Sequence, residues 1–92
     1  MNSEHVIQLD YRKDFDGLRQ AVAHGANLNS VDEDGRTPLM HAVLASDADS
    51  AMVRFLVLNG ANPNAADAGQ KWTPLHFAAR DQKLPVVQAL LV

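Results

Sequence analysis

Thr37-Pro38-Leu39-Met40 recurs as Thr73-Pro74-Leu75-His76, 36 positions on, and Gly25-Ala26-Asn27 recurs as Gly60-Ala61-Asn62, 35 positions on. Two unrelated motifs that repeat at nearly one period mean that the chain is built from copies of one unit. A period in the mid-thirties, with Thr-Pro-Leu near the start of each unit, is that of a helix-turn-helix solenoid. Such architectures present a surface and seldom carry chemistry.

The residue types between the motifs fit that reading. Thr37 and Thr73 are placed to cap helices, and Pro38 and Pro74 to occupy the first helical position, where a missing N–H costs nothing. Leu39, Ala42 and Val43 then face inward. Asp47, Asp49 and Ser50 offer caps for a following helix that carries Met52, Val53, Phe55, Leu56 and Val57. Gly60 ends it, because a residue just past a helix end often needs positive φ. The third unit repeats the pattern from Asp67 through Thr73 to a second helix that begins over Pro85–Val92. The first unit lacks Thr-Pro-Leu. It begins at Ser3 as a candidate N-cap, places Val6, Ile7 and Leu9 on one side of a short helix, and offers Asp14 or Asp16 as the next cap. Phe15, Leu18 and Val22 follow at helical spacing, and Gly25 stops the run.

With these residues in view, the chain resembles the ankyrin repeat family. Family units open with D-x-x-G-x-T-P-L-H and close with L-L-x-x-G-A-x-x-N. Asp32-Glu33-Asp34-Gly35-Arg36-Thr37-Pro38-Leu39 matches the opening, and Leu56-Val57-Leu58-Asn59-Gly60-Ala61-Asn62-Pro63-Asn64 the closing. The resemblance implies an all-α fold: a solenoid of stacked antiparallel helix pairs joined by β-hairpin-like turns. It implies one domain over 1–92, with a cap-like unit at 1–31, a full unit at 32–66 and a truncated unit at 67–92. Two departures from the family pattern stand out. Two residues are inserted within Ser46–Asp49, and the turn from Asp67 to Thr73 is one residue longer than that from Asp32 to Thr37. Both fall in connections, where insertions are tolerated.

Bulk properties bound the function. A chain of 92 residues buries roughly 60–65% of its unfolded surface, enough for one marginal core. A net charge of −3 with scattered basic residues argues against a nucleic-acid or anionic-membrane surface. No stretch reaches the ~18 apolar residues of a membrane span. The first residues show no cationic segment followed by an apolar run, so no secretory leader is expected. The absence of cysteine rules out disulfides and thiolate metal sites, and leads us to expect an intracellular, cytoplasmic chain.

No catalytic set is visible. No His lies at metal-ligand spacing from another, there is no phosphate-binding glycine loop, and the acidic residues stand in wet turns rather than in a desolvated pair. No cofactor, metal or enzymatic activity is therefore expected. His76 pairs with Thr73 in the logic of a capping box, whereas Met40, its counterpart, fills space instead. Asp32, Glu33 and Asp34 shape a turn, or form an acidic patch that meets a basic partner. Trp72 leaves two readings open: packing over the turn and its neighbour, or anchoring a partner.

The family resemblance implies a partner protein docked on the concave side, built from turn tips and first helices. Carried over by motif, that side comprises Glu33, Asp34, Arg36, Leu44 and Ala45 in the second unit, and Gln70, Lys71, Trp72, Arg80 and Asp81 in the third. Tyr11 and Arg12 contribute from the first. The alternative is a scaffold element, or a fragment of a larger protein, that self-associates as a homo-oligomer through its C-terminal helix. There Leu84, Val87, Leu90 and Leu91 form an apolar side with no following unit to cover it.

Overall fold

The computed structural model describes residues 3–91. Six helices follow one another: α1 (Ser3–Tyr11), α2 (Phe15–Ala23), α3 (Pro38–Leu44), α4 (Ser50–Leu58), α5 (Pro74–Arg80) and α6 (Leu84–Leu90). No strand occurs among the described residues. The helices pair as α1·α2, α3·α4 and α5·α6, and the pairs stack through α1·α3, α3·α5 and α4·α6. The fold is the all-α solenoid that the repeats imply.

Local chemistry starts and stops each element. Thr37 accepts a hydrogen bond from the Met40 amide (3.3 Å), and Thr73 one from the His76 amide (3.4 Å). Pro38 and Pro74 are the first helical residues. His76 Nδ1 returns the favour by accepting from the Thr73 amide at 3.0 Å, completing the capping box. Met40 makes no such bond; it is fully buried instead. Of the candidate caps, Asp14 serves α2 and Asp49 serves α4. Ser3 is already helical, so the cap position before it lies outside the described residues.

The two expected insertions appear as longer connections. The α3–α4 link runs over 45–49, where its counterparts run over 12–14 and 81–83. In the third turn, Lys71 takes φ 58°, the left-handed conformation that Gly35 takes (φ 74°) in the second. The turns close alike, through Asp32 N–H to Arg36 O (3.0 Å) and Asp67 N–H to Trp72 O (2.9 Å).

Stacking buries one continuous apolar core. Leu18, Leu39, Val43, Val53 and Leu56 are fully buried, as is Phe77. Phe15 on α2 meets Phe55 on α4 edge-on at 5.4 Å. The repeated Gly-Ala-Asn motif also ties pairs together. Asn29 Oδ1 accepts from the Asn62 amide (2.6 Å), while Asn29 Nδ2 donates to Gly60 O (3.0 Å).

Gly60 has φ 104°, and a Cβ there would meet nothing within 4 Å. Any loss on Gly60→Val is thus backbone strain alone, about 1–2 kcal/mol. Thr73→Val should cost about 1 kcal/mol as a lost cap. Urea unfolding of both variants checks this, and midpoints equal to wild type would contradict the assigned helix ends.

Candidate functional site

Side chains fix the turn tips before any partner is considered. Asp32 Oδ1 accepts from the amides of Asp34 and Arg36, both at 2.9 Å. Asp67 Oδ1 does the same for Gln70 (3.3 Å) and Trp72 (2.8 Å). Each carboxylate thereby organises the turn that follows it. Gly35 is required beyond its φ, because a Cβ would stand 2.6 Å from Ala68 Cβ on the neighbouring turn. Adjacent tips are therefore in close contact.

Asp32 has a second role. Its Oδ2 lies 2.6 Å from His41 Nε2, and His41 Nδ1 lies 3.0 Å from the Tyr11 hydroxyl. With Nε2–H donating to the carboxylate, Nδ1 accepts the phenolic proton, so one imidazole tautomer satisfies all three groups. Partial burial acts to raise the Asp32 pKa. The bonds from the Arg36 amide, His41 and the Asp34 amide outweigh it and hold the carboxyl below its ordinary range. Asp32 is thus a firm anion at neutral pH, and α1, α3 and the second turn are joined through it.

Two open grooves lie beside these tips. The first, about 820 Å³, runs between α1 and the second turn, with Ile7 and Val31 as its apolar part and Glu4, Asp32, Glu33 and Asp34 as its charges. No Lys or Arg lines it. The second, about 590 Å³, lies between the second and third turns and holds Arg36, Arg80, Asp67 and Gln70. Glu33 and Asp34 line both grooves.

The residues expected to bind a partner divide accordingly. Glu33, Asp34, Arg36, Gln70 and Arg80 come together around the second groove. Lys71 is exposed at the same tip. Trp72 is half-buried against Phe77 (5.4 Å between ring centroids) and His76 (5.9 Å), so most of its ring serves packing. The Arg80 guanidinium lies 5.6 Å from the Trp72 ring centre and is bonded to Asp81 at 2.9 and 3.1 Å. Arg36 lies over Phe77 at 5.7 Å and 3.8 Å from Asp67 Oδ2. Leu44 is half-buried against the core, and the Ala45 carbonyl accepts from Lys83 Nζ at 2.9 Å. Tyr11 is half-exposed, and Arg12 is exposed without lining either groove.

Sequence reasoning missed the ties between units. Lys83 Nζ donates to Val43 O (2.7 Å) as well as Ala45 O, capping the end of α3 from the next pair. The tie of His41 to both Asp32 and Tyr11 likewise joins separate units and leaves no trace in sequence spacing. Asp10, buried with its Oδ2 unpartnered, drew no notice. The one available signal was a polar residue at a core register. Asp14 N–H bonds Leu9 O as Lys83 N–H bonds Ala78 O, so Asp10 occupies the register of the fully buried Val43 in the second unit and of the exposed Ala79 in the third.

No group of three or more His, Asp or Glu able to hold a metal occurs among the described residues. No helix of the described residues is long and apolar enough to cross a membrane.

Stacked helix pairs joined by Asp-ordered turns define a helical repeat protein. A family model described as ankyrin repeats (3 copies) matches residues 7–92, and the chain belongs to the ankyrin repeat family. It is 41% identical over 86 residues to "Arf-GAP with coiled-coil, ANK repeat and PH domain-containing protein 2" of Rattus norvegicus, covering 85% of this chain and 11% of that protein. It is 33% identical over 79 residues to "Cyclin-dependent kinase 4 inhibitor B" of Rattus norvegicus, covering 86% and 58%. It is 40% identical over 77 residues to "Probable E3 ubiquitin-protein ligase XBOS34" of Oryza sativa subsp. japonica, covering 83% and 15%. The chain thus spans between 11% and 58% of the lengths of these relatives. Ankyrin repeats in general mediate protein–protein interaction.

Replacing His41 by Ala strands the Asp32 Oδ2 and the Tyr11 hydroxyl together. It should destabilise by about 1–3 kcal/mol, the usual loss when a partly buried charged group loses its partner. His76→Ala, which removes only a local cap, should lose about 1 kcal/mol. Urea unfolding of the two variants orders them, and a neutral His41→Ala would contradict a tie between units.

Proposed function

We propose that this chain is a protein–protein interaction module that takes a partner protein on its concave face, formed by the turn tips and first helices, without catalysing a reaction. The observation that carries this reading is the Glu33–Asp34 tip, exposed and shared by both grooves. Its backbone is ordered in advance by Asp32, so little conformational freedom is lost on binding. The groove toward α1 bears four carboxylates and no Lys or Arg. Charge complementarity therefore favours a basic segment of the partner there, carrying an apolar side chain for Ile7 and Val31. Arg36, Gln70, Lys71, Trp72, Arg80 and Asp81 extend the surface across the third turn. Tyr11, Arg12, Leu44 and Ala45 bound it on the side of the helix ends.

Affinity capture from cell extract, read by mass spectrometry, tests the face. Glu33→Lys/Asp34→Lys reverses charge at exposed positions and should leave the helical spectrum intact. Proteins held by wild type and by Arg54→Ala on α4, but lost from the reversed tip, are the expected result. Equal capture by all three would refute this choice of face.

A second reading has its own observation. Leu39 and Val53 are sealed, whereas their counterparts Leu75 and Val87 are not, and Leu84 and Leu91 are 63% and 68% exposed. An apolar side of this kind favours self-association or a further scaffold segment. Sedimentation should then show a concentration-dependent dimer abolished by Leu84→Glu. A wild-type monomer at all concentrations would remove self-association.

A further inference from the structure

Asp10 lies near the end of α1, 4% exposed, in a register where the neighbouring pair places Val43. Its Oδ2 has no hydrogen-bond partner. It lines a cavity of about 10 Å³ to which the widened α3–α4 connection contributes Ala45, Asp47, Ala48 and Asp49. The titratable groups lining that cavity, among the described residues, are Tyr11 on α1, Lys13 in the α1–α2 link, and Asp47 and Asp49 in the connection. From α3 and α4 come only Ala42 and Met52.

Lys13 ties the connection to the α1–α2 link at this spot. Lys13 adopts φ 54°. Its Nζ donates to the Asp47 carbonyl at 2.9 Å and stands 3.6 Å from Asp47 Oδ2. On its other side, the connection is fixed by Lys83 to the carbonyls of Val43 and Ala45. Of residues 46–49, Ala48 is bonded to Ala45 O and Asp49 caps α4, while Asp47 is tied to Lys13. Lys13 lines the same cavity as Asp10 and is the cation an ionised Asp10 could recruit there.

We propose that Asp10 is a proton-operated latch: protonated, it lets the 46–49 segment close over the end of α1, and ionised, it draws Lys13 away from Asp47 and opens that segment. A neutral carboxyl tolerates a dry cavity with one oxygen unpartnered, whereas a carboxylate there requires water or a cation. Burial, and then the charge of Asp47, push the Asp10 pKa from 3.8 up to about 7. The folded chain then holds this proton more tightly than the unfolded chain. The stability this proton lends the folded chain is fully present below the unfolded value and is lost as pH rises through about 7, and the closed form is lost with the proton at that upper end. The 46–49 segment contains the two residues inserted relative to the family pattern, so the latch would be a feature of this chain's widened connection.

NMR titration of the intact chain tests the latch. In wild type, the Asp10 carboxyl carbon should titrate with a midpoint near 7, and the Ala48 amide, bonded to Ala45 O at 3.1 Å, should shift with the same midpoint. Asp10→Asn, which mimics the protonated group, should leave Ala48 flat across that range. Lys13→Met should leave Asp10 titrating while Ala48 no longer follows it. An Asp10 midpoint in the ordinary carboxylate range would overturn the proposal. So would an Ala48 response that survives in Asp10→Asn or Lys13→Met, or a wild-type Ala48 that ignores the titration of Asp10. The wild-type titration alone decides the matter should a variant fail to fold.

Discussion

The stack depends on burial of apolar surface that no helix pair can hide by itself. Leu39, Val43, Val53 and Leu56 of the middle pair are sealed from solvent because pairs lie against both of its sides. Each such side chain contributes roughly 1.5–3 kcal/mol by leaving water. Without neighbours, much of that contribution disappears, and seven- to nine-residue helices are too short to persist alone. Folding of the pairs is thus coupled, as expected for a quasi-one-dimensional architecture.

Polar groups set the geometry that burial stabilises. Asp32 and Asp67 spend one oxygen each on the backbone of their own turns, and Asp32 spends the other on His41. Lys83 reaches back to close the end of α3. These bonds hold the tips at one spacing and leave the Glu33–Asp34 edge exposed. The same residues that build the fold therefore define its exposed surface.

Much of this was legible in the sequence because it is local. Thr73, Pro74 and His76 lie within four positions, and capping is decided at that range. Gly60 announces a helix end through its missing Cβ. The inserted residues in 46–49 follow from counting between Thr37 and Gly60. What escaped is long-range: Tyr11 to His41 spans 30 positions and Lys83 to Val43 spans 40. Spacing carries no record of a contact made only when pairs stack. Asp10 escaped for a different reason, since a carboxylate in a helix reads as solvated until its register is known. Trp72 divided between packing and recognition in the sequence, and the structure gives most of its ring to Phe77 and His76.

Native-state amide hydrogen exchange tests the coupled stack most directly. If burial from both sides holds the middle pair, the amides of α3 and α4 are the slowest to exchange in the chain and open together, at the free energy of global unfolding. Amides of α3 and α4 that exchange faster than those of α1 and α6, or that open independently of one another, would contradict a solenoid held together by its shared faces.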